Sequence, residues 1–151
     1  MTSARIRNGD RLTELIGDAP GIRPQRVTKG ARHTYWLYGM AVQPEAAYTP
    51  QEFAAALTAE GLGAGVGYIG APIFRCARAL WDRRTFGASQ LPFTLPGAGE
   101  VCYGEGACPR TQELLDRMIT LPMSEFLAEH DIEAMAGAIR KVAVGLSAGK
   151  R

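Results

Sequence analysis

The sequence predicts an α/β domain, with a small mixed sheet of about three to four strands flanked by helices. Three observations carry this. Gly61-Leu62-Gly63-Ala64-Gly65-Val66-Gly67 places glycine at every odd position and an apolar residue at every even one, a period-2 pattern that gives a strand one packing face and one face of bare backbone. Ile132, Met135, Ala136, Ile139, Val142 and Ala143 follow the spacing of one helix face. Thr49-Pro50-Gln51-Glu52 joins an N-cap hydroxyl, a first-turn proline and a Glu three residues on, which is a capping box.

The 151 residues, 46% hydrophobic and 21% charged, suit one soluble domain with its own core. A net charge of +2 from 17 basic and 15 acidic residues does not call for nucleic acid or an anionic membrane. Cys76, Cys102 and Cys108 are an odd number without a Cys-x-x-Cys pair, and only His33 and His130 stand by to help them, so no metal site is expected. Met1 to Asp10 lacks the apolar core of a secretory signal, and no stretch approaches the roughly 18 apolar residues of a membrane span. These features point to a cytoplasmic protein with reduced thiols; Cys102 and Cys108 remain as a less favoured redox pair.

Taken in order, Thr2 to Ile16 is a helix with a thin stripe of Ile6, Leu12, Leu15 and Ile16, weakened by Gly9 in its middle. Such a stripe suits a helix that packs on something beyond its own domain, or one with a loose N-terminal part. Arg5, Arg7 and Arg11 read as a solvated face. Asp18-Ala19-Pro20-Gly21 is turn chemistry, and Gly21 to Pro24 is at most a short extended piece. His33 to Val42 is dense in aromatic and apolar residues and reads as a strand covered on both faces. The helix from the capping box buries Phe53, Ala56 and Leu57 and stops at Gly61. Strand, helix and glycine strand then make a βαβ-like unit or its antiparallel variant.

Beyond Gly67, Tyr68 to Pro72 forms a loop at the strand's C-terminal end, where α/β sheets commonly present ligand sites. Ile73 to Arg83 is expected to be a short helix burying Ile73, Ala77, Leu80 and Trp81. Thr85 to Ala107 is Gly- and Pro-rich, yet carries Phe86, Phe93 and Tyr103; a folded lid or interface loop is favoured over a linker. Pro109 to Met118 reads as a helix with Leu114, Leu115 and Met118 on one side. Ile119 to Met123 is a short strand whose Pro122 marks an edge or an end. The last helix starts near Glu129 and Asp131 and is expected to end at Gly145.

Arg32-His33-Thr34-Tyr35-Trp36-Leu37-Tyr38, Glu60 to Pro72, and Leu121-Pro122-Met123 before a final amphipathic helix together resemble the C-terminal small domain of the DegT/StrS sugar aminotransferases, pyridoxal-phosphate enzymes of fold type I. The likeness runs from about Arg5 to Val142. Gly-Tyr-Ile-Gly-x-Pro, with Cys108-Pro109 after a long loop, is closer to the cyclitol branch. The common branch reads Gly-x-His-Tyr-Pro, and Gly67 stands where it has its His, so that histidine's substrate contact does not carry over.

The resemblance implies amino transfer from an amino acid to a keto-sugar or keto-cyclitol in aminosugar, aminocyclitol, polysaccharide or antibiotic biosynthesis. It implies candidate substrate-binding residues at Tyr68, Ile69, Arg75 and Tyr35, with Tyr68 offering a hydroxyl to the sugar or cyclitol and Arg75 a charge to the amino acid's carboxylate. It also implies that residues 1–151 are a single small domain and that the large pyridoxal-phosphate domain is absent. Of the three lysines, Lys29, Lys141 and Lys150, none sits in a place resembling the cofactor lysine. Covalent cofactor binding and catalytic residues are therefore not expected in this chain, which would be a truncated or split part, inactive alone. The alternative is a free-standing module that associates with a cofactor-carrying subunit or with itself. An independent enzyme built on Cys108 and His130 fits no defensible nucleophile spacing.

Overall fold

The computed structural model describes residues 1–99 and 104–149. Cys102, Tyr103 and Lys150, named above, lie outside the described residues. In chain order the elements are α1 (Thr2–Ile16), β1 (Ile22–Pro24), β2 (Leu37–Val42), α2 (Pro50–Ala59), β3 (Gly65–Val66), α3 (Ile73–Cys76), α4 (Arg78–Trp81), α5 (Pro109–Arg117), β4 (Met118–Pro122) and α6 (Glu129–Ala148). The fold is α/β, with a four-stranded sheet in the order β1-β2-β4-β3. Every pairing is antiparallel. The sheet is therefore not mixed, and the strand-helix-strand unit takes the antiparallel one of its two arrangements.

Directly paired residues point to the same side of an antiparallel sheet. Tyr38 pairs with Leu121, Met40 with Ile119, Val66 with Ile119 and Ile22 with Val42, so these apolar side chains share one face. Leu12 and Ile16 of α1, Phe53 and Leu57 of α2, and Ile132, Ala136 and Ile139 of α6 join them in one buried cluster. The opposite face presents Arg23, Gly39, Ala41, Gly65, Met118 and Thr120, which are mostly small.

The capping box forms as the sequence predicts: Glu52 N donates to Thr49 Oγ1 at 3.2 Å, and Thr49 N donates to Glu52 Oε2 at 2.7 Å. Gly61 follows α2 with φ +91°, the left-handed end that favours glycine. All six apolar positions predicted on the last helix are buried. That helix runs on through Gly145 to Ala148, with Gly149 as its cap, so Gly145 does not end it. Asp131 accepts a hydrogen bond from Ala128 N at 2.8 Å, satisfying a donor at the helix start.

Three further expectations are corrected. First, α1 packs within this domain, because polar groups supplement its thin stripe: Asn8 donates to the carbonyls of Ser124 and Leu127 at 3.2 and 3.0 Å, and Arg5 donates to Glu125 at 2.8 Å. Secondly, the 73–83 helix is two single turns broken at extended Ala77 (φ −101°, ψ 95°). The break shifts the helical phase, so Phe74 is the buried side chain while Ile73 is 68% exposed. Phe74 instead stacks on Trp81, with centroids 6.3 Å apart. Thirdly, the aromatic strand begins only at Leu37. Tyr35 has φ +49°, and this left-handed residue reverses the parity of what precedes it. Strand parity would group Trp36 with Tyr38 and Met40. In the structure Trp36 is 73% exposed and Tyr35 is buried.

Tyr35 fills a gap over α1. A Cβ at Gly9 would lie 2.4 Å from the Tyr35 ring, so the glycine read as a weak point is where helix and ring meet. Tyr35 stacks on Tyr38 at 5.9 Å and donates to Asp10 Oδ1 at 2.6 Å. Its backbone N–H donates to His33 Nδ1 at 3.0 Å, which ties the turn to its own preceding residues.

Burial pushes the phenols of Tyr35, Tyr38 and Tyr48 from 10.0 up to about 12; for Tyr35, the bond to Asp10 adds to the effect. A raised folded-state pKa means that stability from the neutral phenols is fully present below the unfolded value. It is lost as pH climbs from about 10 through about 12. Alkaline titration followed by tyrosinate absorbance and circular dichroism is expected to show these groups ionising together with unfolding. Full ionisation of every tyrosine near the ordinary value with the dichroism unchanged would contradict the burial.

Candidate functional site

The glycine segment alternates as its sequence predicts, with Leu62, Ala64 and Val66 half-buried and Gly61, Gly63 and Gly65 exposed. Only Gly65 and Val66 pair as strand, against Thr120 and Ile119. A Cβ at Gly65 would meet Thr120 Oγ1 at 3.0 Å, so bare backbone lets the strand lie close to β4. Gly67 then donates to Met118 O at 2.8 Å, and with φ +76° it turns the chain beneath α5. A Cβ there would meet Leu115 O at 3.3 Å.

The turn takes Tyr68 off the packing face that strand parity gave it. Tyr68 adopts φ +52° and is 58% exposed, and Ile69 beside it is 44% exposed. Arg75 follows on α3 and lines a cleft of about 560 Å³ between Pro72 to Arg75 and the segment Gly104 to Asp116. Its guanidinium lies 3.8 Å from Glu105. Glu113 and Asp116 also line the cleft and are engaged by Arg117 (2.9 Å) and Gln112 (2.7 Å). Among the described residues of that lining Arg75 is the only cation, and its partner is an exposed carboxylate in a loose pair, an arrangement of little worth.

Of the four candidate site residues, Tyr68, Ile69 and Arg75 therefore lie on one exposed stretch after β3. Tyr35 belongs to the core beside α1, its hydroxyl engaged by Asp10. The cysteines Cys76 and Cys108 are exposed and free. His130 is exposed at the start of α6, 3.4 Å from Asp131. Among the described residues no group of His, Cys, Asp or Glu is placed to hold a metal, and no helix is long and apolar enough to cross a membrane.

Sequence reasoning missed a groove of about 690 Å³ lined by Thr13 of α1 and its cap Gly17, by 23–26, by the middle of β2 (Gly39 to Ala41) and by Leu114 and Met118. The one available signal was the pair Arg23 and Arg26 around Pro24 and Gln25, a stretch too short to declare its face.

No protein-family model matches the chain, and no curated protein sequence matches it. Solved structures do. An aminotransferase, TlmJ, from Streptoalloteichus hindustanus superposes with a TM-score of 0.62 at 17% identity, over 97% of this chain and 33% of that one. A DegT DnrJ EryC1 StrS aminotransferase from Brucella abortus gives 0.63 at 21% identity, over 93% and 30%. The chain has the fold of part of a DegT-type aminotransferase. A GDP-4-keto-6-deoxymannose-3-dehydratase solved with a trapped PLP-glutamate geminal diamine shares the same aminotransferase fold, at a TM-score of 0.63 and 11% identity over 91% and 31%. The chain spans about a third of the length of these proteins.

The aminotransferase fold raises the question of pyridoxal phosphate, whose chemistry needs a lysine amine and a carboxylate facing the pyridinium nitrogen. Lys141 is held by Glu60 at 2.8 Å, and Lys29 is exposed in the loop before β2. Thr120 is the sole buried polar residue among the described ones, so no buried carboxylate is at hand. The described residues do not fit the cofactor.

Proposed function

We propose that this chain serves as the smaller, substrate-facing part of a pyridoxal-phosphate aminotransferase that moves an amino group from an amino acid to a keto-sugar or keto-cyclitol, and that the cofactor is held outside it. The observation that carries this reading is the fold shared over more than nine-tenths of the chain with DegT-type aminotransferases, taken together with the turn that exposes Tyr68 and Ile69 at the end of β3. Fold alone hosts many reactions; a dehydratase carries this one too. Tyr68 is assigned a hydrogen bond to a substrate hydroxyl, Ile69 an apolar contact with the sugar or cyclitol ring, and Arg75 the donor carboxylate in exchange for Glu105. Tyr35 acts at a distance, by fixing the turn into β2.

The test is incubation of the purified chain with pyridoxal phosphate followed by gel filtration. No stoichiometric visible absorbance is expected to stay with the chain. A retained band that disappears on adding an amino donor would show that the chain holds the cofactor itself and would end this reading. In the assembled enzyme, Tyr68→Phe is expected to lower kcat/KM for the keto substrate about 3- to 10-fold, the scale of one hydrogen bond; an unchanged value would remove Tyr68 from the substrate site.

A second reading, an association module for a cofactor-carrying subunit or a second copy, draws on the large apolar side chains Ile73, Trp81, Phe86 and Leu95, exposed by 44–89%. Gel filtration alone and with such a subunit separates the two.

A further inference from the structure

The groove of about 690 Å³ has no place in the reading above and shares no lining residue with the Arg75 cleft. Its floor is flat because, on that side of the sheet, the part of β2 beneath it carries Gly39 and Ala41. A Cβ at Gly39 would sit tightly, 3.0 Å from Gln25 Oε1 and 3.3 Å from Met118 Cε, the ends of two side chains that close over the floor. Gln25 is itself fixed in place, accepting from Gly39 N at 3.1 Å and lying 3.3 Å from His33 Nδ1. Leu114 and Met118 form an apolar wall.

The charge of the lining is one-sided. Among the described residues, Arg23 and Arg26 are its only charged ones. Both are exposed, and neither makes an ion pair or a side-chain hydrogen bond among the described residues. Arg5, Arg117 and Arg140, by contrast, each pair with a carboxylate. Two unengaged guanidinium groups beside an apolar slot, in a volume within the usual small-molecule range of about 300–1,000 Å³, complement a ligand with one anionic end and one apolar body.

We propose that this groove binds a small organic anion, its phosphate or carboxylate taken by Arg23 and Arg26 and its apolar ring laid over Gly39 and Ala41 against Leu114 and Met118. Guanidinium forks suit both anions, since each offers paired oxygens. The site does not depend on the aminotransferase reading, and the two fail separately.

The experiment is calorimetric titration of the whole chain with phenyl phosphate, benzoate and neutral benzyl alcohol. At least one anion is expected to bind saturably at one per chain, weakening as salt rises, while benzyl alcohol does not. The tighter anion identifies which source the site is built for. The double variant Arg23→Gln/Arg26→Gln is expected to bind that anion at least about tenfold more weakly, with its melting curve unchanged because both side chains are exposed. Leu114→Glu, which sets a carboxylate against the apolar wall, is expected to do the same. Failure of both anions to saturate, or a double variant that binds like the original chain, would overturn the proposal.

Discussion

Replacing Tyr35 with alanine is expected to destabilise the protein by about 3–5 kcal/mol, the cost of emptying a buried aromatic site. The ring is 1% exposed, stacks on Tyr38 and covers Gly9 of α1. Its removal leaves a cavity between helix and sheet that the neighbouring backbone cannot fill. Tyr35→Phe keeps the ring and loses only the hydroxyl's bond to Asp10, so about 1–2 kcal/mol is expected. Urea denaturation followed by circular dichroism measures both. A loss below about 1 kcal/mol for the alanine variant would mean that the ring does not hold α1 to the sheet. The consequence for function is positional, since Tyr35 carries the chain from the His33 turn into β2, beside which Gln25 and the arginine groove are arranged.

The second large effect has an unusual sign. On helix propensity alone, Gly9→Ala in the middle of α1 stabilises by roughly 1 kcal/mol. Because the new methyl group would stand 2.4 Å from the Tyr35 ring, the expected outcome is instead a net loss of about 2 kcal/mol, within the range for overpacking. The same substitution made in the Tyr35→Ala background is expected to recover its favourable sign, since the ring that opposed it is gone. A double-mutant cycle reads this directly as a coupling energy between the two positions. If Gly9→Ala stabilises the protein with Tyr35 in place, the two elements do not meet as described.

These two variants also mark where sequence reasoning worked and where it stopped. The capping box at Thr49, the glycine alternation from 61 to 66 and the buried face of α6 were legible because each depends on residues within a few positions of one another, through periodicity and local hydrogen bonds. The fold class followed from them. The resemblance carried by the tracts around Tyr35 and Tyr68 matched the fold that the solved structures share.

The site was only partly legible. Glycine at 65 and 67 announced a strand that must lie close to a neighbour and then turn. It did not announce that Tyr68 would take a left-handed conformation and leave the packing face. In the segment after Pro72, an extended residue at Ala77 shifted the helical phase and exchanged Ile73 for Phe74 as the buried residue, which no count of apolar spacing reveals.

By itself, then, the sequence determined the elements, the core face of α2 and α6, and the class of fold, because those are consequences of short-range pattern. Only the tertiary structure decided that Tyr35 and not Trp36 enters the core, that Gly9 is a contact point, and that Arg23 and Arg26 stand without partners over a flat floor of Gly39 and Ala41. Each of those depends on segments distant in the chain approaching to within van der Waals or hydrogen-bond distance. Packing of that kind is set by the shape of the partner surface, which local periodicity does not encode.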